Sequence, residues 1–215
     1  MRKIILLAIF YAALAFLYSS IGFLHPEVSH FHEYTGPKLF IELLGHFSFG
    51  FIASIPFWDL EISLLTGVAA VFIDTDHILS ALGLNVSGRP DHSFLFVIVS
   101  AIILFYVVMR SNFPNSFLAK FVFFAPVVVF SHIAYDIFAV PLGSSSTFQL
   151  FIPFSFAEVS FPYDYWILFE ALAVVLSFAG YLFARRFGGG ETIRGRDKGE
   201  NKDMLEKTKE QRENS

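Results

Sequence analysis

Long apolar runs separated by short polar segments make up the first 187 residues of the chain. A membrane-spanning helix needs about 20 mostly apolar residues, and six of the runs approach that length. Trp58 and Trp166 lie near the ends of two runs, where aromatic side chains mark the membrane interface. The pattern therefore predicts an all-α, polytopic membrane protein with about six transmembrane helices. The predicted spans are residues 4–24, 40–58, 62–84, 93–109, 117–140 and 162–184.

The first run has two interpretations. Two basic residues precede it, and a small-residue site lies near Ala13 and Ala15, as in a signal peptide. The apolar run continues past that site to Leu24, however. This length favours a span that is retained in the membrane.

Composition excludes several classes of protein. The chain is 55% hydrophobic and only 16% charged, whereas a soluble domain has about 25% charged residues. The net charge of -4 leaves no basic surface for nucleic acid, so the expected partners are the lipid bilayer and a small-molecule or lipid substrate. The absence of cysteine excludes disulfides, thiolate metal sites and cysteine nucleophiles.

Charge divides the chain into two parts. The last 28 residues hold 14 of the 34 charged residues and few apolar ones, so they cannot bury a core. We therefore expect a membrane domain in residues 1–187 and a charged, disordered cytoplasmic tail in residues 188–215. Docking of a partner on this tail is the alternative.

Lysine and arginine in the short loops predict the orientation, because they are enriched on the cytoplasmic side. With the N-terminus inside, six of these basic residues lie at inner span ends and two lie in outer loops. This bias predicts an integral membrane protein with both termini in the cytoplasm. The inner residues are Arg2, Lys3, Arg110, Lys120, Arg185 and Arg186, and the outer ones are Lys38 and Arg89.

Ionisable side chains inside membrane spans are costly and mark functional sites. Three carboxylate–imidazole pairs in this chain are spaced by about one helical turn, so each pair shares a helix face. Helix bundles build metal sites from such pairs. The pairs are Glu42 with His46, Asp74 with His77 and His132 with Asp136, and the further polar residues are Asp76, Arg89, Asp91, His92 and Glu170.

These groups also agree in depth. At a rise of about 1.5 Å per residue, those inside the spans lie roughly 8–15 Å below the outer helix ends. Arg89 and His92 lie in the outer loop itself. Agreement across four helices and one loop predicts a single water-accessible polar cavity that opens to the extracytoplasmic side.

The order of the motifs resembles a known family. The segment from His46 to Pro153 is similar to the YdjM-type family of predicted membrane-bound metal-dependent hydrolases. That family is distantly similar to zinc-dependent phospholipase C and P1-type nucleases, soluble helical enzymes with clustered zinc ions held by His and Asp. The motifs are Gly45-His46, Asp74-Thr75-Asp76-His77, Asp91-His92-Ser93, Ser131-His132-x-x-x-Asp136 and Leu150-Phe151-Ile152-Pro153.

The resemblance implies a set of metal ligands. Family members often read His-Arg-Gly-x-Thr-His-Ser before the fourth span, whereas this chain lacks the upstream His and has Asp91 in place of Thr. The departure adds Asp91 as a ligand or base. The implied ligands are His46, Asp74, His77, His92, His132 and Asp136.

The leading prediction is metal-dependent hydrolysis of a phosphoester or lipid-like substrate. Nitrogen and oxygen ligands suit zinc, with manganese or iron as alternatives, and one to three ions are expected. Such an ion lowers the pKa of its bound water toward neutrality. Arg89 is predicted to clamp phosphate and Asp91 or Asp76 to act as general base. Glu42 and Glu170 are expected to support the ligands, unless Glu42 reaches the interface instead.

Two other functions would use the same residues. A transporter of metal ions or protons would need polar groups in the inner halves of the spans, where Lys120 is the one charge in spans two to six. It would also favour a helix break at the midplane, which the third span is not expected to have. A scaffold protein with a structural metal would have a closed site without an open coordination position.

The predicted orientation can be tested by labelling, because the chain has no cysteine of its own. A Gly88→Cys variant should react with a membrane-impermeant thiol reagent from the extracytoplasmic side. Labelling from the cytoplasmic side alone would reverse the predicted topology.

Overall fold

The computed structural model describes residues 2–24, 37–75 and 89–187. Over these ranges it contains seven α-helices and one antiparallel β-hairpin, which confirms the all-α expectation apart from the hairpin. The helices are α1 (Arg2–Ser19), α2 (Pro37–Ser54), α3 (Leu60–Phe72), α4 (Phe94–Arg110), α5 (Asn115–Phe121), α6 (Phe124–Phe138) and α7 (Tyr165–Phe187). Short 3-10 turns cover Ser20–Leu24, Ile55–Phe57 and Pro90–His92, and the strands are β1 (Ser145–Phe148) and β2 (Val159–Pro162).

Three described helices are long and apolar enough to cross a membrane. They cover Lys3–Gly22, Leu39–Phe57 and Tyr165–Phe187, and α5 with α6 would add a fourth span across a bend of 41°. Helices α3 and α4 are apolar but shorter, with 13 and 17 residues. The count of six spans therefore stays a prediction, and the end of the third predicted span, residues 76–84, lies outside the described residues.

Helices α2 and α3 pack closely because glycine stands at their contact. A Cβ on Gly50 would lie 2.9 Å from both the Thr66 carbonyl oxygen and the Ala70 Cβ. A Cβ on Gly67 would lie 2.9 Å from the Phe47 carbonyl oxygen. Small residues let helix backbones approach in this way, and the approach brings the middle of α2 beside the end of α3.

The third and fifth predicted spans are interrupted. Helix α3 ends at Phe72 and a turn follows at Ile73 and Asp74, so the expectation that this span has no break is wrong. The fifth predicted span divides between α5 and α6 at Val122 and Phe123. A helix end leaves backbone carbonyls without intrahelical partners, and the first of these breaks lies directly beside the candidate site.

Helix α1 is packed into the bundle. Tyr11 is 1% exposed and its ring lies 5.9 Å from that of Phe96 and 6.0 Å from that of Phe124. At the start of the helix, Lys3 Nζ donates to the Ser111 carbonyl oxygen at 2.8 Å. This contact joins the first residues of α1 to the segment that follows α4. Both lie at the end that the predicted topology assigns to the cytoplasm.

Substitution of Gly50 by alanine should destabilise the bundle by roughly 1–3 kcal/mol, the usual effect of an extra methyl group in a packed interior. The clash is with backbone, so it is not relieved by turning a side chain. Thermal unfolding in detergent would measure the change, with Leu44→Ala on the exposed side of α2 as the control. An unchanged Gly50→Ala midpoint would contradict the close α2–α3 contact.

Candidate metal centre

Four side chains from three parts of the fold converge on one point. They are His46 from α2, Asp74 from the turn after α3, and His132 and Asp136 from α6. Each offers one nitrogen or oxygen atom, and these atoms all lie within 4.8 Å of one another. A group of this kind could hold a metal ion, as the sequence predicted for these four residues.

The contacts within this four-residue group are short. His46 Nε2 lies 2.9 Å from Asp74 Oδ2 and 3.5 Å from Asp136 Oδ1. His132 Nε2 lies 3.4 Å from Asp74 Oδ1 and 3.6 Å from Asp136 Oδ2. The two imidazole rings are stacked, with centroids 3.9 Å apart and planes 9° apart. Both imidazoles thus direct Nε2 at both carboxylates.

The break after α3 fixes the orientation of His132. The Nδ1 atom of this residue lies 2.7 Å from the Ala70 carbonyl oxygen, in the last turn of α3. Because a carbonyl only accepts, Nδ1 carries the proton and donates it in this hydrogen bond. In the neutral imidazole the lone pair is then on Nε2, which faces the carboxylates, and a backbone contact of this type is what orients metal-binding histidines.

Gly45 and Tyr135 position the other imidazole. A Cβ on Gly45 would lie 2.0 Å from Tyr135 Cζ, so only glycine leaves room for this ring against α2. The Tyr135 ring meets the His46 ring at 4.5 Å and 70°, and its hydroxyl donates to the Ile41 carbonyl oxygen at 3.3 Å. Sequence reasoning missed Tyr135, because no spacing rule links it to residue 45 of another helix.

Arg89 bridges the two carboxylates. Its Nη1 donates to Asp136 Oδ2 at 2.6 Å and its Nη2 to Asp74 Oδ1 at 2.5 Å. The Arg89 side chain is 29% exposed, whereas the His46 and His132 side chains are at most 2% exposed. The imidazoles therefore form the buried floor of the site and the guanidinium forms its accessible side.

His92 lies against the group without belonging to it. Its Nε2 is 3.1 Å from Asp136 Oδ2 and 2.9 Å from His132 Nε2. Burial, together with the positive charge of Arg89, lowers the pKa of His92 to about 3, so this imidazole is neutral. A neutral imidazole at this place can donate a lone pair to a cation.

Other predicted site residues lie apart from the four-residue group. Asp91 is buried and accepts a hydrogen bond at Oδ2 from Ser19 Oγ, at the end of α1. Glu42 lies one turn before His46 and is half-buried, but it is not part of the group. Glu170 Oε2 is buried in α7 and has no hydrogen-bond partner among the described residues. The predicted residues Asp76 and His77 lie outside the described ranges.

The hairpin contributes two contacts that sequence reasoning missed. Ser146 Oγ donates to the Asp136 carbonyl oxygen at 2.9 Å. The Phe148 ring lies 5.6 Å from the His92 ring, with planes 27° apart. Both residues fall between two predicted spans, where the apolar pattern gave no signal.

Comparison of the chain with family models, with curated proteins and with solved structures finds no match. Membership of the YdjM-type family therefore stays a prediction. The chemistry of the site must be argued from its own geometry.

Replacement of Arg89 by glutamine should make the stability of the protein depend on added metal. Loss of one partner of a buried ion pair costs several kcal/mol, and partial exposure of Arg89 reduces this to roughly 2–4 kcal/mol. A divalent cation between Asp74 and Asp136 would restore part of the loss. Thermal unfolding of Arg89→Gln with and without zinc should show a larger metal-induced rise than the wild type.

The matched control is Lys120→Gln. Lys120 donates to Asp59 Oδ2 at 2.9 Å in an ion pair away from the site, so its loss should not create a response to zinc. Equal zinc responses in wild type, Arg89→Gln and Lys120→Gln would count against cation binding between the carboxylates.

Proposed function

We propose that the chain is a membrane-embedded, metal-dependent hydrolase that acts on a phosphoester or lipid-like substrate. The observation that carries this proposal is the convergence of two imidazoles, two carboxylates and one guanidinium at a single partly accessible point. Such a set combines groups that hold a cation with a group that binds an anion.

The donor atoms of the four-residue group fit a divalent metal ion. Two imidazole nitrogens and two carboxylate oxygens suit zinc, with manganese or iron as alternatives. When both imidazoles are neutral, as metal ligation requires, the two carboxylates carry two negative charges against the single positive charge of Arg89, which favours a divalent ion on charge as well. When bound, the metal would supply an activated water and polarise the phosphoryl oxygen.

Arg89 is the residue that we assign to substrate. A guanidinium presents two parallel N–H donors, which match two oxygens of a phosphate as well as those of carboxylates. In the structure these donors are held by Asp136 and Asp74, and a metal ion that took over both carboxylates would free them for an anionic substrate on the accessible side of the site. Arg89 would hold and orient the phosphoryl group there.

The proton of the attacking water needs an acceptor. Asp91 and Asp76 are the carboxylates that we propose for this role, because each stands directly before a predicted ligand histidine in the sequence. Of the two, Asp91 is described by the structure and lies outside the four-residue group. Ser19 donates to one oxygen of Asp91 and so holds its carboxylate in one orientation. Asp91→Asn should keep the metal and lower turnover by about 10²–10⁴-fold, the usual contribution of a general base.

A transporter of metal ions or protons is the second candidate. The turn at Ile73 and Asp74 favours it, because interrupted helices form the binding sites of many transporters. A structural metal is the third, since four protein ligands are also the number in closed zinc sites. Hydrolysis requires an open position, and transport requires release of the ion.

One set of measurements separates the three candidates. Bound metal, hydrolysis of phosphoester substrates and metal-ion flux into liposomes should be measured for the wild type, His132→Ala and Asp136→Asn. We expect both variants to insert normally, because insertion depends on apolar length, and to lose metal and hydrolysis together. Asp59→Asn, which removes a carboxylate outside the four-residue group, should keep both.

Each alternative has its own outcome. Metal flux without hydrolysis in the wild type would favour a transporter. Tightly bound metal with neither flux nor hydrolysis would favour a structural site. Unchanged metal content in both His132→Ala and Asp136→Asn would overturn the ligand assignment itself.

A further inference from the structure

The β-hairpin contacts the candidate site at the end where β1 leads into the connection between the strands. Phe148, at the end of β1, is 1% exposed and its ring stacks on His92. Just beyond it, the Leu150 carbonyl oxygen accepts a hydrogen bond of 2.9 Å from the Phe94 backbone amide. These contacts hold the start of the connection between the strands against the site and the first residue of α4.

The whole connection between the strands covers residues 149–158, and it exposes two phenylalanine side chains. Phe154 is 84% exposed and Phe151 is 49% exposed. Phe94 is 43% exposed and meets the Phe151 ring at 5.8 Å and 65°, which extends the same surface onto α4. Glu158, at the far end, is the one charged residue in this connection. Exposed phenylalanines with so little charge form a surface that water disfavours.

The second strand leads from this connection to a helix that is long enough to cross a membrane. Helix α7 begins at Tyr165, three residues after β2, and exposes Ile167 (57%) and Leu168 (60%) in its first turn. On the predicted topology, the contact of Phe151 with Phe94 sets the connection beside the outer end of α4, at the level of the membrane surface. Amphipathic and aromatic residues at that level insert into the interface between headgroups and acyl chains.

We propose that residues 149–158 insert into the outer edge of the bilayer and guide a lipid phosphoester from the membrane into the site. Phe151, Phe154 and Phe94 would contact its acyl chains while its phosphate reaches Arg89. The part of this inference that concerns the substrate rests on the proposed hydrolase. The part that concerns insertion rests on exposure and position alone.

Insertion can be measured without any activity. Spin labels on single cysteines at 151, 154 and 158 would be compared in liposomes of phosphatidylethanolamine and phosphatidylglycerol. We expect the labels at 151 and 154 to collide more with oxygen than with a water-soluble nickel chelate. The label that replaces Glu158 should show the reverse. Greater nickel access at 154 than at 158 would overturn insertion, and so would a 154 label that neither reagent reaches, which would indicate a protein partner.

The lipid route can be measured by comparing two substrates. The double variant Phe151→Ser/Phe154→Ser should lose about tenfold or more of its hydrolysis of vesicle phospholipid, because the two exposed apolar side chains that would contact lipid are removed. Hydrolysis of water-soluble p-nitrophenyl phosphorylcholine and the bound metal should change less than about twofold. Phe187→Ser, at the other end of α7 and 60% exposed, is the matched control and should affect neither.

The outcomes distinguish this inference from the proposed function. Equal loss on both substrates in the double variant, or no loss on vesicles, would overturn the lipid route while leaving the hydrolase in place. A wild type that hydrolyses neither substrate, although it binds metal, would contradict the hydrolase and the lipid route together. The spin labels would then still decide insertion.

Discussion

Two carboxylates inside an apolar helix bundle are the constraint on which the rest of this structure depends. Asp74 and Asp136 are each at most 15% exposed, and an uncompensated charge in such surroundings would cost several kcal/mol. Three imidazoles and one guanidinium surround these carboxylates at hydrogen-bonding distance or slightly beyond. The positions of α2, α6 and the end of α3, and of the segment before α4, therefore depend on the balance of charge among these groups.

Close packing and local breaks make this balance attainable. Glycine at positions 50 and 67 brings α2 against α3, and the end of α3 exposes the Ala70 carbonyl oxygen that orients His132. An unbroken helix would have used that carbonyl for its own ladder of hydrogen bonds. The irregular backbone beside Asp74 is thus part of the site, since it supplies the hydrogen bond that directs an imidazole nitrogen inward.

The sequence predicted the members of the four-residue group better than the residues that support them. Helical spacing and common depth marked His46, Asp74, His132 and Asp136 as candidates, and the family resemblance supplied the set of ligands. The contact of Tyr135 with Gly45 and the hydrogen bond to Ala70 depend on how different helices are placed, which no local pattern encodes. The hairpin was missed for another reason: its strands have four residues each and lie between two apolar runs.

The packing of α1 bears on what this helix is for. A targeting leader is discarded after use, so its side chains need not fit any particular neighbour. Tyr11, in contrast, fills the space between Phe96 and Phe124, and Ser19 reaches the buried carboxylate of Asp91. Removal of α1 would leave an empty cleft beside α4 and α6. It would also remove the hydroxyl group that donates to the buried carboxylate of Asp91.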